Sequence, residues 1–178
     1  ISKYLNNIEI ESKISENSEL KELLNSDVVI DGIITTNWDK LLETIFPKLN
    51  VYVGQSDLFF RNPQSIGEIF KIHGCCSNFS SLVLTKNDYE NFNNKNAYLA
   101  AKLLSIFLEN PVIFIGYSIT DKNITDLLGL IADMMESPEQ LERLAKNLIF
   151  VTRLDDGKDQ MESVLMTVGS KKLYFNYV

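Results

Sequence analysis

The sequence is short of the residues that usually announce chemistry. It holds one histidine, His73, and two cysteines, Cys75 and Cys76, and all three fall in the stretch "FKIHGCCSN". Adjacent cysteines form no ordinary disulfide with each other, and there is no second pair. The disulfide framework of a small secreted domain is therefore excluded, and a reducing cytoplasm is the expected setting. A structural zinc site commonly takes about four ligands from spaced pairs, and His73, Cys75 and Cys76 do not supply them. A nucleophilic Cys–His pair would need side chains aimed at one another and a third orienting group, which the sequence does not suggest. Inert, packed cysteines are the simpler reading.

Other absences narrow the field further. No apolar run approaches the roughly 18 residues of a membrane span, and the first residues, "ISKYLNNIEI", lack a signal-peptide pattern. Positive charge is also scarce, with 17 Lys and Arg against 24 Asp and Glu and a formal net charge of −7. Binding to a nucleic-acid backbone relies on clustered Lys and Arg that displace counterions, so direct nucleic-acid binding is not expected. An anionic ligand would instead be held by backbone N–H groups and hydroxyls. No glycine precedes Gly32, and the chain begins at Ile1 rather than Met. It is expected to be part of a longer protein.

What is present reads as one folded domain. At 178 residues, 45% hydrophobic and 23% charged, the chain has ordinary globular usage and enough length to bury a core without staples. Residues 1–26 form a polar lead-in with one amphipathic helix, "SELKELL", and residues 27–178 an α/β core. Within the core, "VVIDGIITTN" reads as a buried strand, "WDKLLETIF" as a helix stopped by Pro47, and "NVYVG" and "EIFKIHG" as strands. Thr85 and Asp88 stand at capping-box spacing ahead of a short helix. "NAYLAAKLLSIFLEN" is a longer helix. "PVIFIGYS" is a strand, followed by a helix with Asp121 as its cap and Ile124, Leu127, Leu128 and Ile131 on one face. Ser137, Pro138 and Gln140 give a strong helix start. "LIFVT" is a strand, "DGKDQMESVLM" a helix and "KKLYFNYV" a closing strand. Solid apolar strands separated by amphipathic helices predict a doubly wound, mostly parallel sheet with helices on both faces, a Rossmann-like α/β fold.

Ligands of such sheets bind beyond the carboxyl ends of the strands. That rule selects "TTNWD", "HG", "GYS" and "VTR". Each is a cluster of hydroxyl, amide, imidazole or glycine after an apolar run. Taken singly, each has a structural alternative. Asn37 could cap a helix starting at Trp38, Gly116 could serve only a tight turn, Ser118 could be a helix-entry residue, and Thr152 a plain strand end. His73 could be a hydrogen-bonded residue of the core.

Taken together and in order, "IITTNWD", "KIHG", "FIGYS" with an Asp three residues later, and "IFVT" resemble the sirtuin superfamily. The likeness is greatest to the zinc-free sirtuin-like domains of bacterial antiphage defence proteins, and it runs from about Asp31 to Thr152. The resemblance implies NAD as substrate, with no zinc, and hydrolysis of its N-glycosidic bond to nicotinamide and ADP-ribose. It aligns Asn37 with an amide that orients water and ribose, and His73 with a general base. Thr35, Thr36, Asp39, Gly116, Tyr117, Ser118 and Thr152 would line the pocket. An imidazole, with an unperturbed pKa of about 6.5, suits the role of base near neutral pH. Other parts of the protein would sense infection or set the oligomeric state.

Departures from the family pattern matter as well. The cysteine pairs of the zinc-bearing deacylases are missing, which weakens a protein-deacylase reading. Thr36 replaces the family's Gln. The glycine-rich loop that wraps the pyrophosphate has no counterpart within residues 1–178: either it lies upstream, which agrees with a chain starting at Ile1, or this domain has lost it, and the fragment alone is expected to bind NAD poorly and turn over little. A non-catalytic module that binds NAD or ADP-ribose is the rival from another class.

Overall fold

Seven short strands and the helices between them make up the computed structural model, which describes residues 18–25, 27, 29–59, 67–90, 96–117, 122–151 and 162–177. The described part divides into two compact units, Ile1–Asp88 and Tyr89–Val178. Ser118, Asp121 and Thr152 lie outside the described residues, as does the whole segment from 152 to 161.

The first described element of the first unit is helix α1 (Ser18–Asn25), as the "SELKELL" pattern predicts. Its sheet has three parallel strands in the order β1 (Gly32–Thr35), β3 (Glu68–Lys71) and β2 (Asn50–Val53). The registers run from Gly32↔Glu68 to Thr35↔Lys71 on one side of β3, and from Asn50↔Glu68 to Val53↔Lys71 on the other. As the central strand, β3 is covered on both faces, with Ile69, Phe70 and Lys71 all buried. The first strand is shorter than its apolar run suggests. Pairing with β3 begins only at Gly32, and Val29, ahead of any partner, is 86% exposed.

After β1 comes helix α2 (Leu41–Ile45), which starts three residues later than the sequence pattern from Trp38 predicts. Helix α3 (Gly54–Leu58) follows β2 directly and is an addition to the predicted elements. Within it the Asp57 carboxylate reaches back to accept from the N–H of Val53, the residue ahead of the helix, at 2.9 Å. Helix α4 (Lys86–Glu90) has the expected reciprocal cap. The Thr85 N–H donates to Asp88 at 2.9 Å, and the Asp88 N–H donates to the Thr85 hydroxyl at 3.2 Å.

In the second unit, helix α5 (Ala97–Glu109) leads to a four-stranded sheet in the order β4 (Val112–Ile115), β5 (Leu148–Val151), β7 (Lys171–Tyr177), β6 (Glu162–Val168). The first three are parallel, and β6 is antiparallel to β7. Aromatic rings fill its centre: Phe114 stacks on Phe150 at 4.3 Å, and Phe175 meets Phe150 edge-on at 5.2 Å. Helix α6 (Lys122–Met134) buries Ile124, Leu127, Leu128 and Ile131, the four residues its periodicity assigns to one face. Helix α7 (Pro138–Asn147) has the full capping box of Ser137 and Gln140. Together the units give an α/β, Rossmann-like set of mostly parallel strands.

One element departs from expectation. The segment "DGKDQMESVLM" reads as a helix by its spacing, but Glu162–Met166 belong to strand β6. The reason lies just beyond it. Gly169, at φ +59, and Ser170 form a two-residue loop that folds "KKLYFNY" back onto "ESVLMTV". A glycine at the first position of a two-residue loop is a strong hairpin signal, and it overrides the weaker helical spacing.

Candidate functional site

Two loops at the carboxyl ends of β1 and β3 carry the candidate catalytic groups, and parallel pairing brings those ends side by side. The Ile72 N–H extends the ladder by donating to the Thr35 carbonyl at 3.0 Å. Beyond that point the two chains remain tied, because the Cys76 N–H donates to the Trp38 carbonyl at 2.7 Å. This bond joins "TTNWD" to "HGCC" next to both Asn37 and His73.

In the first loop, Thr35 is buried and its hydroxyl accepts from the Asn37 N–H at 3.1 Å. Thr36 is partly exposed. Asn37 does not cap the helix. The residue before Leu41 is Lys40, which makes no side-chain cap, and ahead of it the Asp39 carboxylate accepts from the Leu41 N–H at 2.9 Å. The Asn37 carboxamide is exposed and makes no hydrogen bond among the described residues. Its structural alternative is thereby removed.

The second loop is stiff. His73 is 2% exposed, and its carbonyl accepts from the Val83 N–H at 3.0 Å. Gly74 sits at φ +92, where a Cβ would come within 2.3 Å of the Ser81 carbonyl oxygen, so glycine is required both by conformation and by space. The Cys75 N–H then donates to the Ser81 hydroxyl at 3.0 Å, and that hydroxyl donates to the Asn78 carbonyl at 2.6 Å.

Both cysteines are buried free thiols, as packing residues should be. Burial pushes the Cys75 thiol up, but hydrogen bonds from Ser77 and the charge of Lys71 outweigh it and leave Cys75 below its ordinary value. The Cys76 thiol is pushed up by burial and by its neighbour Cys75. Among the described residues, no group of three or more His, Cys, Asp and Glu side chains could hold a metal ion, and no helix is long and apolar enough to cross a membrane.

A buried ion pair was missed in the sequence. Lys71 is 1% exposed, and its ammonium donates to Glu43 at 2.7 Å and to the Asp39 carbonyl. The signal was available in "EIFKIHG", since a lysine inside a central apolar strand requires a counter-charge.

The second unit holds the other described candidates. Gly116 follows β4 at φ +60 with open space where a Cβ would stand, so the turn, rather than crowding, calls for glycine. The Tyr117 ring packs 5.8 Å from that of Phe114.

A family model described as the SIR2-like domain matches residues 31–171. Curated relatives include the NAD(+) hydrolase ThsA of Cytobacillus dafuensis, 28% identical over 135 residues, covering 74% of this chain and 26% of its own length. The NAD(+) hydrolase ThsA of Enterococcus faecium is 29% identical over 130 residues, covering 70% and 26%. The defense-associated sirtuin 2 of Bacillus subtilis is 28% identical over 109 residues, covering 58% and 11%. The chain thus spans about a quarter of the length of these two hydrolases and less of the sirtuin.

Proposed function

Because the chain belongs to the SIR2-like domain family, we propose that it hydrolyses the N-glycosidic bond of NAD, as part of a cytoplasmic bacterial defence protein. The names of its relatives, NAD(+) hydrolases and a defence-associated sirtuin, favour this reading. The observation that carries it is the Cys76–Trp38 hydrogen bond, which holds the Asn37 and His73 loops together at the end of a parallel sheet.

The chemistry asks little of the protein. The nicotinamide of NAD is cationic while attached and departs neutral, so no general acid is needed. What remains is to place the ribose, stabilise an oxocarbenium-like centre and direct a water. His73 is the base, taking a proton from that water or from a ribose hydroxyl, and the unengaged carboxamide of Asn37 orients the water or the ribose. Thr35, Thr36 and Asp39 shape the loop around Asn37. Gly116, Tyr117, Ser118 and Thr152 are the residues assigned to binding the dinucleotide. No zinc takes part in this scheme.

The test is to incubate the full-length protein with NAD and follow nicotinamide and ADP-ribose by chromatography. Release of both in equal amounts, with no added peptide, supports hydrolysis. Calorimetric NAD binding without release would replace it with a binding module, and NAD loss that depends on an acetyl-lysine peptide would replace it with a deacylase.

A further inference from the structure

Among the described residues of the first unit, Lys71 is the charged side chain buried most completely, and the proposed reaction leaves it without a role. It lies in the central strand β3 two residues before His73, and its register partner is Thr35, two residues before Asn37. Its ammonium reaches Glu43 in α2 at 2.7 Å and the carbonyl of Asp39. Both acceptors belong to the segment that follows Asn37. Charge-assisted bonds of this kind are shorter and stronger than neutral ones, and burial shields them from water.

The geometry points to Lys71 as a positioning residue: it anchors the loop that carries Asn37 to the strand that leads into His73. A shorter or apolar side chain could fill the space between β3 and α2, but it could not hold the Asp39 carbonyl. The Asn37 backbone is thereby fixed from both sides. The Thr35 hydroxyl holds its N–H, and the next two residues are held through their carbonyls, Trp38 by Cys76 and Asp39 by Lys71. Small displacements of positioned groups cost rate steeply, on the order of 100-fold for about 1 Å. The inference rests on the roles proposed above for Asn37 and His73.

Two variants of the full-length protein test it, Lys71→Met and the double variant Lys71→Met/Glu43→Gln. The single variant leaves the Glu43 carboxylate without its cation and is expected to lower the thermal midpoint. The double variant removes both charges and is expected to recover most of that midpoint while kcat for nicotinamide release stays down by roughly 100-fold, with KM for NAD changed little. Hydrogen exchange at the Leu41 and Cys76 amides is expected to be faster in the double variant than in wild type. If kcat returns together with the midpoint, Lys71 is merely structural and the assignment is overturned. Unchanged exchange at both amides overturns it as well. Should the wild-type protein release no nicotinamide, the proposed function falls, while the exchange measurement still decides whether Lys71 holds the loop.

Discussion

The main-chain N–H of Cys76 donates to the carbonyl of Trp38 at 2.7 Å. Through its backbone Cys76 joins the loop after β3 to the loop after β1, while its thiol is buried. The bond ties these two loops beyond the Ile72–Thr35 bond that extends the β1–β3 ladder.

Asn37 offers the cleanest separation of function from stability. Its carboxamide is exposed and caps nothing. Asn37→Ala is expected to change unfolding free energy by no more than about 0.5 kcal/mol, while slowing nicotinamide release on the order of 100-fold or more. Asp39→Ala, by contrast, removes the acceptor of the Leu41 N–H and should cost about 1 kcal/mol in urea denaturation.

Gly74 should be intolerant of any side chain. At φ +92, with the Ser81 carbonyl 2.3 Å from a built Cβ, Gly74→Ala must distort the His73 loop. A loss of about 1–3 kcal/mol is expected from denaturation curves, together with lost NAD turnover. Gly116→Ala meets open space and carries only the conformational penalty of its φ of +60, about 1–2 kcal/mol.

Asp133 predicts an acid limb to stability. Its carboxylate accepts from the Ser170 hydroxyl and from the Ser170 N–H at 2.9 Å, and these bonds hold it below the ordinary carboxylate value. A lowered folded value means that the stabilisation is present above the unfolded value and is lost as pH falls through the folded one. The stability difference between wild type and Asp133→Ala should therefore be constant near neutral pH and shrink below about pH 4. Chemical denaturation across that range checks it, and a difference that grows on acidification would contradict it.

Much of this architecture was legible because local signals agreed. The Ser137–Gln140 box, the Thr85–Asp88 pair and the α6 apolar face all appear where the sequence puts them. The strand-end rule selects the loops of Asn37 and His73, distant in the chain, and β1 and β3 do pair in parallel, so that these strand ends lie side by side. Three features stayed hidden because each depends on a partner elsewhere. Glu162–Met166 carry helical spacing, and only the hairpin with Lys171–Tyr177 makes them a strand. Among the described residues, Val29 at the amino end of the "VVIDGIITTN" run stands outside the β1–β3 register, which begins at Gly32. Lys71 looks like an ordinary strand residue until Glu43 and Asp39 are seen beside it.

The central claim is that His73 is the base for cleavage of NAD. The most direct measurement compares nicotinamide release by wild type and His73→Ala in the full-length protein, with circular dichroism to verify that both are folded. A loss of 100-fold or more, about the share a general base contributes, is the predicted result. Full activity in a folded His73→Ala variant would contradict the account and return His73 to the core.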